Sequence, residues 1–219
     1  VETFSLTIDD MTARRDHAFI ISCHGGHNDV VKWLCQTFTE NNYHPLMHTV
    51  IAAIKNSCIE HHFDLAQWLV ETFSLTSSDQ RHHGYDLFVQ TFSVGSIDSL
   101  EWMVKTFSLT SDDFLFSGIL KLESTCIHGD LGKAKWLMNT FPVTLDQIQV
   151  NKLFIQTCSI GHIEVAKWLL SQFPMTADDF RSEFPYYRPC GDQLPIVQWL
   201  VTTFSMTIAD FRYNENQLF

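Results

Sequence analysis

Apolar residues in this chain return at the three- and four-residue spacing of a buried helical stripe. In residues 163–170 the stripe is Ile163, Val165, Ala166, Leu169 and Leu170. Trp168 lies within it, and the same stretch recurs around every tryptophan of the chain. The six tryptophans are Trp33, Trp68, Trp102, Trp136, Trp168 and Trp199, at spacings of 35, 34, 34, 32 and 31. Each is followed five residues later by a phenylalanine: Phe38, Phe73, Phe107, Phe141, Phe173 and Phe204. Ten residues before the first, second, fourth and fifth tryptophan stands Cys23, Cys58, Cys126 or Cys158, and Phe92 holds that place in the third repeat. Four residues earlier again the residue is apolar: Phe19, Ile54, Phe88, Leu122 and Phe154.

The pattern predicts two helices per repeat. The first ends near the cysteine, where Gly26, Gly95, Gly129 or Gly161 supplies the left-handed residue that a helix C-terminus takes, with His61 in that place in the second repeat. The second helix runs through the tryptophan. A linker follows, reading ETFSLT at 71–76, KTFSLT at 105–110, NTFPVT at 139–144 and TTFSMT at 202–207. It leads into Thr-x-x-Asp, at Thr7/Asp10, Thr76/Asp79, Thr110/Asp113, Thr176/Asp179 and Thr207/Asp210, which is close to a capping box and marks the next helix start. A pair of short helices cannot bury its own apolar face, but stacked neighbours can. The expectation is therefore an all-α fold, an α-solenoid of helix-turn-helix repeats. Residues 1–219 form a single array of about six repeats with partial ones at both ends, and the natural protein is expected to continue in both directions. The Trp and Phe series, present in every repeat, is expected to pack between repeats.

Charge narrows the function classes. Asp and Glu outnumber Lys and Arg 25 to 14, a net −11. Such a field repels nucleic acid and anionic membrane surfaces, and no apolar run is long enough to span a bilayer. The partner expected is a protein, basic or of mixed charge. Apart from Cys35, the odd one out on a second-helix end, the cysteines fall one per repeat rather than in the close pairs of a structural zinc site, and Phe92 fills one of their slots, so they read as buried reduced thiols. His61-His62 and His82-His83 are adjacent pairs whose side chains point apart on a helix. The doublets Asp9-Asp10, Asp112-Asp113 and Asp178-Asp179 fall on first helical turns, where negative charge complements the helix dipole. No phosphate loop, nucleophile elbow or His-Glu-x-x-His motif is present. No catalytic residue, cofactor or metal ligand is assigned.

The segments GHIEVAKWLL at 161–170 and GHNDVVKWL at 26–34 resemble the Gly-His-x-x-Val-Val-x-x-Leu-Leu segment of ankyrin repeats, whose period is about 33 residues. The chain is similar to divergent ankyrin arrays of protists and of large DNA viruses of amoebae. It departs from the family at the start of the first helix, where Lys152-Leu153-Phe154-Ile155 stands in place of Thr-Pro-Leu-His, and in the linker, where Thr-Phe-Ser-Leu-Thr replaces the β-turn hairpin. The resemblance implies a structural role for His27, His62 and His162, a backbone hydrogen bond between turns. It also implies an intracellular, cytoplasmic location, in the host if the source is viral.

Function should lie where the repeats differ. Two residues before the cysteine position stand Ile21, Asn56, Gln90, Ser124, Gln156 and Arg188, and one residue after it stand His24, Ile59, Ser93, Ile127 and Ser159. By the ankyrin resemblance these lie on or near the concave side. Gln90, Ser124 and Gln156 are therefore candidate partner contacts. The sixth repeat is irregular, with Phe184-Pro185-Tyr186-Tyr187-Arg188-Pro189 replacing an ordinary first helix, and Pro189 would break one. Tyr186 is expected to fill the core slot, leaving Tyr187 and Arg188 as further contact candidates. The reading is a monomeric, non-catalytic scaffold that binds another protein. The alternatives are an adaptor that recruits substrates to a degradation or signalling module elsewhere, and a metal-dependent enzyme using the histidines.

Overall fold

The computed structural model describes residues 8–76, 87–110, 118–141, 147–183 and 194–207. These are all-helical and contain no strand. They form twelve helices: α1 (Ile8–His24), α2 (Asn28–Glu40), α3 (Met47–Ile59), α4 (Phe63–Thr72), α5 (Leu87–Val94), α6 (Ile97–Thr106), α7 (Gly118–Ile127), α8 (Leu131–Thr140), α9 (Gln147–Ile160), α10 (Ile163–Gln172), α11 (Ala177–Glu183) and α12 (Leu194–Phe204). No helix among the described residues is long and apolar enough to cross a membrane.

The chain divides into two compact bodies, residues 1–109 and 110–219. In the first body α1, α3 and α5 pack one on the next, and each packs against the helix that follows it, α2, α4 or α6. The second body repeats the scheme: α7, α9 and α11 pack in sequence, with α8 against α7 and α10 against α9. The core of each repeat comes from positions that the pattern marks. Cys23, Cys58, Phe92, Cys126 and Cys158 are buried, as are Phe19, Ile54, Phe88, Leu122 and Phe154 four residues before them. Leu34, Leu69, Met103, Leu137, Leu169 and Leu200, each following a tryptophan, are buried too. Burying one such side chain is worth about 1.5–3 kcal/mol, so the recurrence of three of them holds each helix pair to its neighbours.

Trp102 packs between repeats as expected, stacked on Phe63 of the preceding repeat, but most of the tryptophans lie outside the buried core. Only Trp136 of the six is buried, and Trp33 is 48% exposed. The residue after the tryptophan is buried, so the indole lies at the edge of the stripe. Trp102 and Trp136 turn edge-on to the phenylalanines five residues later, Phe107 and Phe141, with centroids 6.3 and 6.0 Å apart.

The turn inside each repeat closes as the glycines predict, with one exception. Gly26, Gly129 and Gly161 take φ of 66°, 75° and 99°, and His61 takes 63° in the same place. The next residue then reaches back to the hydroxyl-bearing residue before the cysteine position. The N–H of His27 donates to the Ser22 carbonyl, His62 to Ser57, Asp130 to Thr125 and His162 to Thr157. Gly95 is the exception: its φ is not left-handed, and a Cβ there would stand 2.8 Å from the Thr91 carbonyl oxygen, so close approach is what requires glycine. Ser96 instead caps α6, its Oγ accepting the Ser99 N–H at 3.2 Å.

Three of the linkers are short left-handed turns, and no strand occurs in them among the described residues. Ser74, Ser108 and Ser205, each following the repeated phenylalanine, have φ of 50°, 48° and 49°. Leu75, Leu109 and Met206 then donate back to the carbonyls of Val70, Val104 and Val201. Where the sequence places proline next, the phenylalanine itself takes a different conformation from its counterparts. Phe141 is extended, at φ −128° and ψ 102°, and Phe173 lies at φ −129° and ψ 88°. Of the Thr-x-x-Asp starts, Thr176/Asp179 lies wholly within the described residues. The Asp179 N–H donates to Thr176 Oγ1 at 3.1 Å, and Asp179 Oδ2 accepts from the Thr176 hydroxyl and N–H at 2.6 and 3.0 Å. These bonds favour the carboxylate and hold its pKa below the usual value.

Candidate functional site

The first helices carry two rows of opposite character on adjacent residues. The inner row is the hydroxyl before the cysteine position: Ser22, Ser57, Thr91, Thr125 and Thr157, all buried. Ser57 Oγ donates within its helix to the Ala53 carbonyl and lies 3.3 Å from the Cys23 carbonyl of the preceding repeat. Thr157 Oγ1 donates to the Leu153 carbonyl at 2.8 Å. Thr91 Oγ1 is buried with no hydrogen-bond partner. Sequence reasoning passed over this row, although Ser or Thr in the same place of five repeats was there to be read. Burial also pushes the adjacent thiols up: Cys23, Cys58 and Cys126 to about 12, and Cys158 further.

The outer row is the position one residue earlier, where the partner contacts were expected. Gln156 is exposed and lines a groove of about 720 Å³ in the second body. Its walls are Ile127 from α7, Lys152, Ile155, Ser159 and Ile160 from α9, and Glu183 at the end of α11. Ile127 and Ser159 are the residues one after the cysteine position in their repeats, so three of the expected variable positions meet in one concavity. Ser124 is exposed but does not line it. The His128 ring turns back to Ser124, with Nδ1 2.7 Å from its carbonyl oxygen. Gln90 belongs to the other body and is half-buried. It accepts a hydrogen bond from Lys55 of the preceding repeat at 3.2 Å, so it ties two repeats together. Tyr187 and Arg188, with Tyr186, lie outside the described residues.

The groove can hold an apolar side chain and orient what surrounds it. Ile155 forms a buried apolar wall, and Ile160, 42% exposed, forms an open one. Lys152 and Glu183 supply one charge of each sign, and Gln156 both a donor and an acceptor. Sequence reasoning missed Ile160. Its signal is an apolar residue closing a helix that the next turn leaves in solvent.

The histidines at the repeat turns are N-caps of the second helices. His27, His62 and His162 make no capping hydrogen bond through their side chains. The rings of His62 and His162 instead lie over the turn of the preceding repeat. A Cβ at Gly26 would stand 2.6 Å from His62 Cε1 and Nε2, and one at Gly129 2.5 Å from His162 Nδ1. Packing of a ring on the preceding glycine turn is thus seen at His62 and His162, where a hydrogen bond between turns was expected, while the His27 ring lies against Gly25 of its own repeat. Among the described residues no group of three or more His, Cys, Asp or Glu side chains could hold a metal ion. No family model, curated protein or solved structure matches the chain.

Proposed function

We propose that this chain is a non-catalytic scaffold, a stacked ankyrin-like array that binds a protein through the open face of its first helices. The observation that carries the reading is the groove of the second body, whose lining includes Gln156, Ser159 and Ile127, positions at which the repeats differ. The residues beside Gln156 on α9, Thr157 and Cys158, are fully buried and of a type kept from repeat to repeat. A repeat protein keeps its stacking residues alike and varies those that meet a partner, because stacking is the same problem in every repeat and recognition is not. The partner segment offers an apolar side chain to Ile155 and Ile160. The acidic excess of 25 to 14 favours a basic or mixed-charge protein and a salt-sensitive association.

The test is capture from a lysate of the source cells on the immobilised chain, beside Gln156→Ala/Ile160→Asp and a Ser124→Ala control. A protein retained by the chain and the control, lost with the groove variant and released by raised salt, supports the reading. A protein retained equally by all three places recognition elsewhere, and turnover of any substrate by the purified chain removes the scaffold reading.

A further inference from the structure

The groove of the second body holds three polar side chains that nothing in the described chain satisfies. Among the described residues Lys152 and Glu183 have no ion-pair partner, and the Gln156 amide has no hydrogen-bond partner. Elsewhere in the same body Lys133, Lys167 and Arg181 each hold an acid three residues earlier, Asp130, Glu164 and Asp178. The chain as a whole carries a net −11, so a lysine left open in an apolar concavity is a local reversal of its field, and the charge that complements it is a carboxylate.

The shape of the groove limits what can enter. α7, α9 and α11 pack in sequence, so the groove runs along α9 with Ile127 on one side and Glu183 on the other. Packed helix axes lie about 8–10 Å apart, which puts α7 and α11 at most about 20 Å from each other. Each of the two takes about 5–6 Å of that distance, leaving a channel at most about 10 Å wide. An α-helix with its side chains measures about 10–12 Å and is too thick for it. An extended segment, which needs about 4.8 Å between chain centres, fits. At 1.5 Å per residue, Ile155 and Ile160 stand about 4.5 and 12 Å along α9 from Lys152, so a side chain seated between them lies about 8 Å from the lysine. Alternate residues of an extended segment project to one side and stand about 7 Å apart, close to that distance.

We propose that the groove takes an extended peptide segment of the partner protein in which an Asp or Glu stands two positions from a bulky apolar residue. The apolar side chain lies between Ile155 and Ile160, with Ile127 beside it, and the carboxylate meets Lys152. The Gln156 amide, one turn along from the lysine, gives its donor and its acceptor to the backbone of the segment. Glu183 repels a second acid on its side of the channel, so the segment carries an isolated carboxylate rather than an acidic run. This rests on the groove being the partner site and names the chemistry of what fills it.

Panning a phage-displayed library of random heptapeptides on the immobilised full chain tests it, beside Lys152→Glu and Ile160→Asp. Both side chains are exposed, and Lys152→Glu alone carries the test if Ile160→Asp loses its helical circular dichroism. The chain is expected to enrich peptides with Asp or Glu two positions from Leu, Ile, Met or Phe. Lys152→Glu should enrich Lys or Arg at the acidic position and keep the apolar one, whereas Ile160→Asp should lose the apolar preference. A synthetic copy of an enriched peptide should bind Lys152→Glu about tenfold more weakly by fluorescence anisotropy. Absence of enrichment, enrichment without an acid, or a charge preference that Lys152→Glu leaves unchanged overturns the proposal. Capture from lysate separates this inference from the reading it rests on. A protein lost with Gln156→Ala/Ile160→Asp but held undiminished by Lys152→Glu keeps the groove as the partner site and removes this peptide chemistry.

Discussion

Gln156 and Thr157 are neighbours on α9, yet one is exposed in a groove and the other is wholly buried. The same division runs along the first helices: exposed Ser124 beside buried Thr125, exposed Ile21 beside buried Ser22, and half-buried Gln90 beside buried Thr91. The inner row meets the adjoining repeat and keeps one residue type, a small hydroxyl. The outer row varies from Ile to Gln to Ser. The difference teaches that in a stacked array the burial of a residue is decided by which helix face meets the next repeat, and sequence variation follows burial.

The inner seam should break most severely at its turns. Gly129 needs both a left-handed φ of 75° and room for the His162 ring. Gly129→Ala is expected to lower stability by about 2 kcal/mol or more, of which roughly 1–2 kcal/mol is the cost of the left-handed conformation. Urea denaturation of Gly129→Ala beside Gly129→Ala/His162→Ala separates the parts. The double variant recovers the steric share and retains the conformational one. Equal costs in the two would show that the ring does not rest on the glycine.

A smaller effect sharpens the comparison within the hydroxyl row. Thr157→Val removes a hydroxyl that donates to the Leu153 carbonyl and is expected to cost about 1 kcal/mol. Thr91→Val removes a buried oxygen that has no partner, so the same measurement should show no loss or a gain of up to about 1 kcal/mol. A loss at Thr91 as large as that at Thr157 would mean that its hydroxyl is bonded in solution.

At neutral pH no effect of the thiols is expected, and their pH dependence is confined to the alkaline side. Cys23, Cys58 and Cys126 have thiol pKa values raised by burial from an ordinary value of 9.0 to about 12. A raised folded pKa means stability that is complete below about pH 9 and is lost as pH climbs toward 12, because the unfolded chain releases these protons first. Thermal unfolding should therefore be level in this respect through neutral pH and fall above pH 9. Cys58→Ala should flatten that fall, and an unchanged slope would assign the alkaline loss to other groups.

Much of this molecule was legible before any coordinates. The six tryptophans placed every second helix, and the cysteine position marked buried first-helix residues in the repeats that carry it. The glycines three residues later marked left-handed turns at Gly26, Gly129 and Gly161. Of the expected contacts, Gln156 fell in the groove, while Gln90 turned toward Lys55. That outcome depends on a lysine from the preceding repeat, which no local pattern contains.

Periodicity is a one-dimensional signal, so the sequence by itself determined what is local to the chain: helix, turn, linker and the repeat that unites them. It could not tell the tryptophan at the edge of a stripe from the leucine beside it at the centre, since both are apolar and both recur. Only the tertiary structure decided that Trp136 is buried while the other indoles reach solvent, that the His62 and His162 rings rest on the glycines of the preceding turn, and that Val30 stands open where Leu65, Ser99, Val165 and Ile196 are buried. Those facts belong to pairs of residues from different repeats, and burial is fixed by the neighbour that arrives, not by the residue that waits for it.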